Sequence, residues 1–194
     1  MSDVPYYTTE EQQTLLRLSR QTLERITHGE PLPRVDLAAL PPKLREERAC
    51  FVTLHRRADG ALRGCTGTLV ARRPLAEEVV YITEQTAFHD PRFPPVRADE
   101  VDGLRIEISV LTPPQPLDFD GPQDLVRKLR PGVDGVTLQL GYQRATFLPQ
   151  VWESYPDPVV FLSLLAQKMG APADAWRDPR VRVYTYQAIV FEEE

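Results

Sequence analysis

Cysteine is scarce in this chain, which contains only Cys50 and Cys65 among its 194 residues. Small secreted domains that depend on disulfides use more cysteines, so the count favours a reducing compartment and predicts a cytoplasmic protein. Two separated cysteines and three histidines do not match the ligand spacing of a dedicated zinc site. We therefore expect no bound metal and no cofactor.

Long apolar runs and an excess of positive charge are also lacking. No stretch approaches the roughly 20 apolar residues that a membrane-spanning helix needs, and the first nine residues have no apolar run typical of a signal peptide. The net charge of -5 argues against an extended phosphate-binding surface, because nucleic-acid-binding domains are usually basic. We expect a globular protein that binds neither nucleic acid nor membranes.

Helix and strand patterns follow one another irregularly along the chain. The predicted order is αββαβαββαβ, which mixes hairpins with single helices. This order favours an α+β fold, with one domain over residues 1–194 and a core over about 9–191, because a doubly wound parallel sheet needs regular alternation. The predicted helices begin at the capping pattern Thr9–Gln12, at Pro74, at Asp124 and at Asp157, and the predicted strands cover 50–54, the return through Leu62 and Cys65, 104–110, 136–140, 145–148 and 181–190.

An Asp-Gly pair at 59–60 predicts a tight hairpin between the first two strands. If residues 58 and 61 pair, Cys65 lies opposite Leu54 and Cys50 lies opposite Leu69. The two thiols are then not cross-strand partners, which is a second argument against a disulfide.

The segment Leu62–Leu69 is the first candidate for a functional site. Gly64 and Gly67 at the end of a strand indicate either a special backbone turn or the close approach of a ligand. Arg63 could hold an anionic ligand through two hydrogen bonds, or it could activate Cys65 as a nucleophile. The alternative is a buried cysteine that acts as a small apolar residue beside glycines that only bend the chain.

The second candidate segment covers residues 86–95, in which two prolines after Phe93 fix the backbone. His89 could act as a general base for Cys65, with Asp90 orienting the imidazole. Asp90 and Arg92 could also line a ligand site. The alternative is that these two residues form a structural ion pair that anchors a rigid crossover.

Familiar catalytic motifs do not fit the chain. A P-loop needs lysine and a hydroxyl after its second glycine, where this sequence has Thr68 and Leu69. The letters of residues 64–67 match the GxxG of KH domains, but that motif joins two helices in a basic domain, whereas this one follows a strand.

Taken together, five segments in the same order resemble the AMMECR domain family, known in many bacteria and archaea as protein A of the AmmeMemoRadiSam system. They are Leu62–Gly67, Asp90–Pro95, Ile108–Thr112, Phe147–Val151 and Lys168–Gly170. The resemblance spans nearly the whole chain. It implies a larger lobe with both termini, a smaller lobe, and a groove lined by the Arg-Gly-Cys segment. It also implies a genomic link to a Memo-like metalloprotein and a radical SAM enzyme, and no established reaction.

The chain departs from this family at Thr66, where isoleucine is usual, so the wall of the implied pocket is more polar. His89 is not part of the family signature, which weakens the proposed pair with Cys65. The leading hypothesis is a binding or accessory protein that holds a small anionic ligand or the tip of a partner chain with Arg63–Gly67, Asp90 and Arg92. The rival hypotheses are an enzyme with Cys65 as nucleophile or covalent carrier, and an interaction scaffold.

Overall fold

A computed structural model describes residues 6–194. The chain forms two compact units. The first unit contains the residues up to Leu111 together with Ile189–Glu194, and the second contains residues 112–188. Each unit has its own hydrophobic core and its own four-stranded sheet. The combination of helices with antiparallel sheets confirms the α+β class.

The helices are α1 (Thr9–Thr27), α2 (Pro42–Arg45), α3 (Leu75–Phe88), α4 (Gly121–Lys128), α5 (Val151–Ser154) and α6 (Pro158–Lys168). The strands are β1 (Cys50–Arg56), β2 (Leu62–Gly67), β3 (Leu104–Leu111), β4 (Gln115–Pro116), β5 (Gly135–Leu140), β6 (Gln143–Phe147), β7 (Arg182–Tyr186) and β8 (Ala188–Glu192). Short 3-10 segments cover Leu37–Ala39, Ala98–Gly103 and Ala175–Arg177. Within residues 6–194, no helix is both long and apolar enough to cross a membrane.

The sheet of the first unit has the strand order β2-β1-β3-β8, so β2 lies at an edge. Helices α1 and α3 pack on one face of this sheet, where alternate side chains of β1 and β3 are fully buried. These inward side chains are Val52, Leu54, Ile106 and Ile108. The opposite face therefore carries the other residues of the alternation, which include Thr53 and Glu107.

The N-cap of helix α1 lies one residue before the predicted N-cap, Thr9. Thr8 is its N-cap: the Thr8 hydroxyl accepts from the backbone N–H of Glu11 at 3.2 Å, and Glu11 accepts from the backbone N–H of Thr8 at 2.8 Å. Two adjacent threonines create two overlapping capping patterns, and the one with the ionised glutamate forms because charge-assisted hydrogen bonds are stronger.

The predicted register of the first hairpin is wrong by one residue. Cys65 lies opposite Thr53. The hairpin pairs His55 with Leu62, two residues from the expected partner Gly64, and a bulge in β2 then reduces this difference to one residue. A bulge adds an unpaired residue that no simple turn pattern reveals. The conclusion about the thiols still stands, since both cysteines are free and Cys50 lies at the other end of β1.

The second unit has the strand order β4-β7-β5-β6, with α6 packed against β6. Its core centres on the stacked rings of Trp152 and Phe161, whose centroids are 3.7 Å apart. Helix α6 begins as predicted at the Asp157 cap, whose carboxylate accepts two backbone N–H groups. Helix α4 begins at Gly121, three residues before its predicted start.

The single strand predicted over residues 181–190 is wrong. Strands β7 and β8 belong to different sheets and are separated by Gln187, whose backbone N–H and C=O both bond to Thr112. Neither glycine nor proline marks the break, so the apolar pattern runs through it uninterrupted.

Candidate functional site

The exposed backbone of β2 at Cys65 is covered by the segment that follows α3. Asp90 accepts a hydrogen bond from the Cys65 N–H at 2.8 Å, and the Arg92 guanidinium donates to the Cys65 carbonyl at 2.8 Å. An edge strand leaves such groups unpaired, and here two side chains take the place of a neighbouring strand. The Cys65 backbone is thus fixed from outside the sheet.

Asp90 and Arg92 also bind each other through three hydrogen bonds. Asp90 is buried and accepts from the Arg92 backbone at 3.1 Å and from its guanidinium at 2.9 and 2.7 Å. These bonds from Arg92, and then the one from the Cys65 N–H, hold the pKa of Asp90 far below its usual range, although burial alone would raise it. Asp90 also raises the pKa of Arg92. The pair therefore stays ionised.

Arg92 keeps one terminal nitrogen free. Its Nε and Nη2 are engaged, while Nη1 makes no hydrogen bond to any residue within 6–194. The side chain is 53% exposed. A half-exposed guanidinium with unused donors can bind an anionic group beside Cys65.

Arg63, by contrast, is buried, and its guanidinium does not face solvent. Its Nε and Nη2 bind the two carboxylate oxygens of Glu100 at 2.9 and 3.1 Å, and the residue is only 7% exposed. The Arg63 hydrogen bonds hold the pKa of Glu100 below its usual value. Nη1 of Arg63 is buried and has no hydrogen-bond partner among residues 6–194. The ion pair ties β2 to the 3-10 segment Ala98–Gly103.

Gly64 and Gly67 lie within β2, and neither adopts a positive φ. The turn inferred from these glycines is therefore not present, but the close approach is. A Cβ on Gly67 would lie 2.3 Å from the Phe51 ring, and one on Gly64 would lie 3.0 Å from the Thr86 carbonyl oxygen. The chain's own groups fill the space that a ligand was expected to occupy.

Thr66 points toward α3. Its hydroxyl is 2.7 Å from that of Thr86, which donates in turn to the Ile82 carbonyl at 2.8 Å. The extra hydroxyl of Thr66 is thus satisfied by the helix, on the face of β2 that also carries Gly64.

The Cys65 thiol lies on the opposite face and is partly exposed. Thr53, its cross-strand partner, donates a hydrogen bond to the sulfur at 3.4 Å. Cys50 differs, because complete burial raises the pKa of its thiol. His89 is exposed at the end of α3, and no hydrogen bond within residues 6–194 joins its imidazole to Cys65 or to Asp90.

Sequence reasoning missed three polar residues on the same face as Cys65. His55 lies 3.9 Å from Glu107, measured between Nε2 and Oε2, and Ser109 has a buried hydroxyl without a hydrogen-bond partner among residues 6–194. We name this surface, formed by Cys65, Thr53, His55, Glu107 and Ser109, the thiol face. The alternation of β1 and β3 was the available signal, since each outward position of Thr53–His55 and Glu107–Ser109 is polar.

Within residues 6–194, no group of three or more His, Cys, Asp or Glu side chains is arranged to hold a metal ion. The thiol face offers a partly exposed cysteine, an imidazole and a carboxylate, which can exchange protons with a ligand, while its two hydroxyl residues are buried.

A family model described as AMMECR1 matches residues 16–191. The chain is 38% identical to a protein of Methanothermobacter thermautotrophicus, over 95% of each chain. It is 41% identical to a protein of Thermococcus gammatolerans, over 93% of this chain and 89% of that one. The crystal structure of the uncharacterized protein PH0010 from Pyrococcus horikoshii is similar, with a TM-score of 0.71 and 37% identity over 93% of this chain and 90% of that one.

Proposed function

The chain belongs to the AMMECR1 family, and we propose that it is a binding protein that holds a small anionic ligand or the tip of a partner chain beside Cys65. The ligand lies on the thiol face, with its anionic group at Arg92. The protein acts as an accessory to a Memo-like metalloprotein and a radical SAM enzyme, which supply the metal and radical chemistry. This last part rests on the genomic link that the family resemblance implies.

One observation carries the proposal: the backbone N–H and C=O groups of Cys65 are both held by side chains, while the residue stays partly exposed. Asp90 and Arg92 bind its N–H and C=O, each at 2.8 Å. Water can satisfy the backbone groups of an exposed edge strand, so the two side chains also confine Cys65 to one position, in addition to any stability that they contribute. Fixing a residue before a ligand arrives reduces the entropy lost on binding.

Arg92 is the better candidate for contact with an anion than Arg63. Arg63 is already neutralised by Glu100, whereas Arg92 has an unengaged, exposed Nη1 within the described residues. A charge-assisted hydrogen bond to that nitrogen would place the anion next to the Cys65 carbonyl, within reach of the thiol face.

The proposal is tested by screening small carboxylates and phosphates for a rise in Tm and for protection of Cys65 from iodoacetamide. We expect at least one anion to do both, and Arg92→Gln to weaken its binding about tenfold, or about 1.4 kcal/mol. Arg180→Gln is the matched control, because Arg180 forms the same local ion pair with Asp178 but does not contact β2.

The rival functions predict other results in the same assays. A scaffold predicts that no anion raises Tm or protects Cys65 from iodoacetamide. An enzyme predicts turnover of the protecting compound, which mass spectrometry of the mixture would detect.

A further inference from the structure

We propose that the second unit contains a binding site of its own, for a small organic anion in which a carboxylate or phosphate group is attached to an apolar ring. The site is a cavity of about 490 Å³ beside β7, and all of its lining residues lie between Pro116 and Tyr184. Small-molecule sites in proteins commonly have volumes of roughly 300–1,000 Å³. The cavity shares no residue with the thiol face, so the inference goes beyond the proposed function.

The cavity opens where β4 and β7 part. Their pairing ends at Leu117, whose backbone N–H donates to the Val183 carbonyl at 2.9 Å. No backbone hydrogen bond within residues 6–194 joins the next three residues to β7, and α4 begins at Gly121. The Lys128 ammonium donates to the Asp118 carbonyl at 2.8 Å and holds this segment against α4. The segment therefore forms a fixed wall of the cavity.

The opposite wall contains a tight turn before β7. The Asp178 carboxylate accepts from the backbone N–H of Arg180 at 2.8 Å and from its guanidinium at 3.0 and 2.7 Å, and the Asp178 carbonyl accepts from the Val181 N–H at 2.9 Å. The Arg180 side chain, and then its backbone N–H, lower the pKa of Asp178 to about 2, so the carboxylate is ionised and neutralised by its own arginine. Arg177 and Arg182 precede and follow this turn, and both line the cavity.

The charges of these two arginines are not compensated. Most arginines of the chain donate to a carboxylate or a carbonyl, whereas the side chains of Arg177 and Arg182 have no hydrogen bond or ion pair with any residue from 6 to 194. The Arg177 guanidinium carbon lies 4.8 Å from the centre of the Trp176 ring, a contact that uses none of its N–H groups. Asp118 is the other carboxylate of the lining. The cavity thus has an excess of positive charge and unused donors, which suits an anion.

Apolar side chains make up much of the remaining lining. Leu117, Phe119 and Tyr184 are half-buried and line the same cavity as the two arginines. Two arginines alone would bind an inorganic anion as well as an organic one. The aromatic side chains add a surface on which a ring can pack, so they favour an anion that carries an apolar ring.

The two tryptophans of the chain provide a reporter and an internal control. Trp176 lies in the cavity wall, whereas Trp152 lies in the core of the same unit, where its Nε1 donates to the Asp134 carbonyl at 2.7 Å. We titrate the 15N-labelled full chain with phenylacetate and, separately, with phenyl phosphate, and follow both indole N–H resonances. We expect a saturable shift at Trp176 and little change at Trp152. If neither anion produces a saturable shift at Trp176, the inference is overturned.

Two further probes separate the parts of the ligand in the wild-type protein. Benzyl alcohol has the ring without the anion, and acetate has the anion without the ring. Each should bind at least about tenfold more weakly than phenylacetate, because it lacks one of the two kinds of contact. Benzyl alcohol that binds as tightly as phenylacetate would show that the arginines do not select the ligand, and acetate that does so would show that the apolar lining does not. The tighter of phenylacetate and phenyl phosphate identifies the preferred anionic group.

Arginine variants test the charged part of the site. Arg177→Gln and Arg182→Gln should each weaken phenylacetate binding about tenfold. Arg144→Gln is the matched control: Arg144 is also exposed, and its guanidinium lies 5.9 Å from the Tyr184 ring, but it does not line the cavity. Its variant should stay within about twofold of wild type. Equal affinities in all three variants would overturn the inference.

The alkylation of Cys65 distinguishes this site from the one in the proposed function. Phenylacetate that protects Cys65 but leaves the Trp176 resonance unshifted would support the proposed function and overturn this inference. A shift at Trp176 that is lost in Arg177→Gln and Arg182→Gln, without protection of Cys65, supports this inference alone.

Discussion

The Asp90 carboxylate accepts the backbone N–H of Cys65 at 2.8 Å, although the two residues are 25 positions apart in the chain. This contact joins the end of α3 to the edge strand β2 and fixes the residue at the centre of the proposed site. Asp90 lies in the tripeptide Asp-Pro-Arg, and the same tripeptide recurs at residues 178–180. Each aspartate binds the backbone N–H and the guanidinium of its own arginine.

The repeated tripeptide provides an internal comparison for the strength of this contact. We expect Asp90→Asn to lower the free energy of unfolding by about 2–3 kcal/mol, because a buried charge-assisted network is lost. Asp178→Asn should lower the free energy of unfolding far less, since Arg180 is 80% exposed and the pair does not reach a distant strand. Urea unfolding of both variants measures the difference. Equal losses would show that the bond to Cys65 adds nothing to stability.

The low pKa of Asp90 predicts a pH dependence. Since its folded-state pKa is depressed by Arg92 and Cys65, Asp90 adds stability above its unfolded value of about 4, and this stability is lost as the pH falls toward the depressed folded value. The stability gap between wild type and Asp90→Asn should therefore be full above about pH 5 and shrink toward pH 3. Other carboxylates with low pKa values are present in both proteins and cancel in the difference. A gap that is constant across this range would contradict the prediction.

Regular elements with one buried stripe could be predicted from the sequence. Helix α3 buries Leu75, Val79 and Ile82 as its spacing indicates, and β3 alternates as expected. These patterns could be predicted because the spacing of apolar residues along a single helix or strand indicates which side chains are buried.

Register and the strand break could not be predicted, because they depend on distant partners. Cys65 lies opposite Thr53 and not Leu54, because the hairpin pairs His55 with Leu62 and a bulge in β2 follows. Residues 181–190 divide between two sheets at Gln187. Neither feature changes the local apolar pattern.

For the candidate site, the sequence indicated two segments that the structure brings together at Cys65, but it did not reveal their contacts. Gly67 and Gly64 signalled a close approach, which the chain's own Phe51 and Thr86 make. That His55 shares a face with Cys65 could not be predicted, because the two residues lie on different strands and only the register relates them.

Because Arg63 is buried, its replacement should destabilise the fold more than replacement of a surface arginine. We expect Arg63→Ala to lower the free energy of unfolding by about 3 kcal/mol, because it leaves the partly buried Glu100 without its ion pair. Arg97→Ala is the control: Arg97 and its partner Asp99 are both mostly exposed, so the free energy of unfolding should stay close to that of wild type. Chemical denaturation of both variants tests this. Similar losses would mean that the Arg63–Glu100 pair contributes little.

The last prediction concerns Gly67, where a side chain has no room. A Cβ there would lie 2.3 Å from the Phe51 ring and 2.6 Å from the Cys50 carbonyl oxygen, and the second atom is backbone that cannot rotate away. Gly67→Ala should therefore lower the free energy of unfolding by about 2–4 kcal/mol, through displacement of β1 against β2. Gly64→Ala should cost less, because its nearest contact is 3.0 Å. Gly103→Ala meets nothing within 4 Å and has an ordinary φ, so it should be neutral or slightly stabilising. Urea unfolding of the three alanine variants ranks them, and a Gly67 variant as stable as the Gly103 variant would show that the packing of Phe51 over Gly67 is not required.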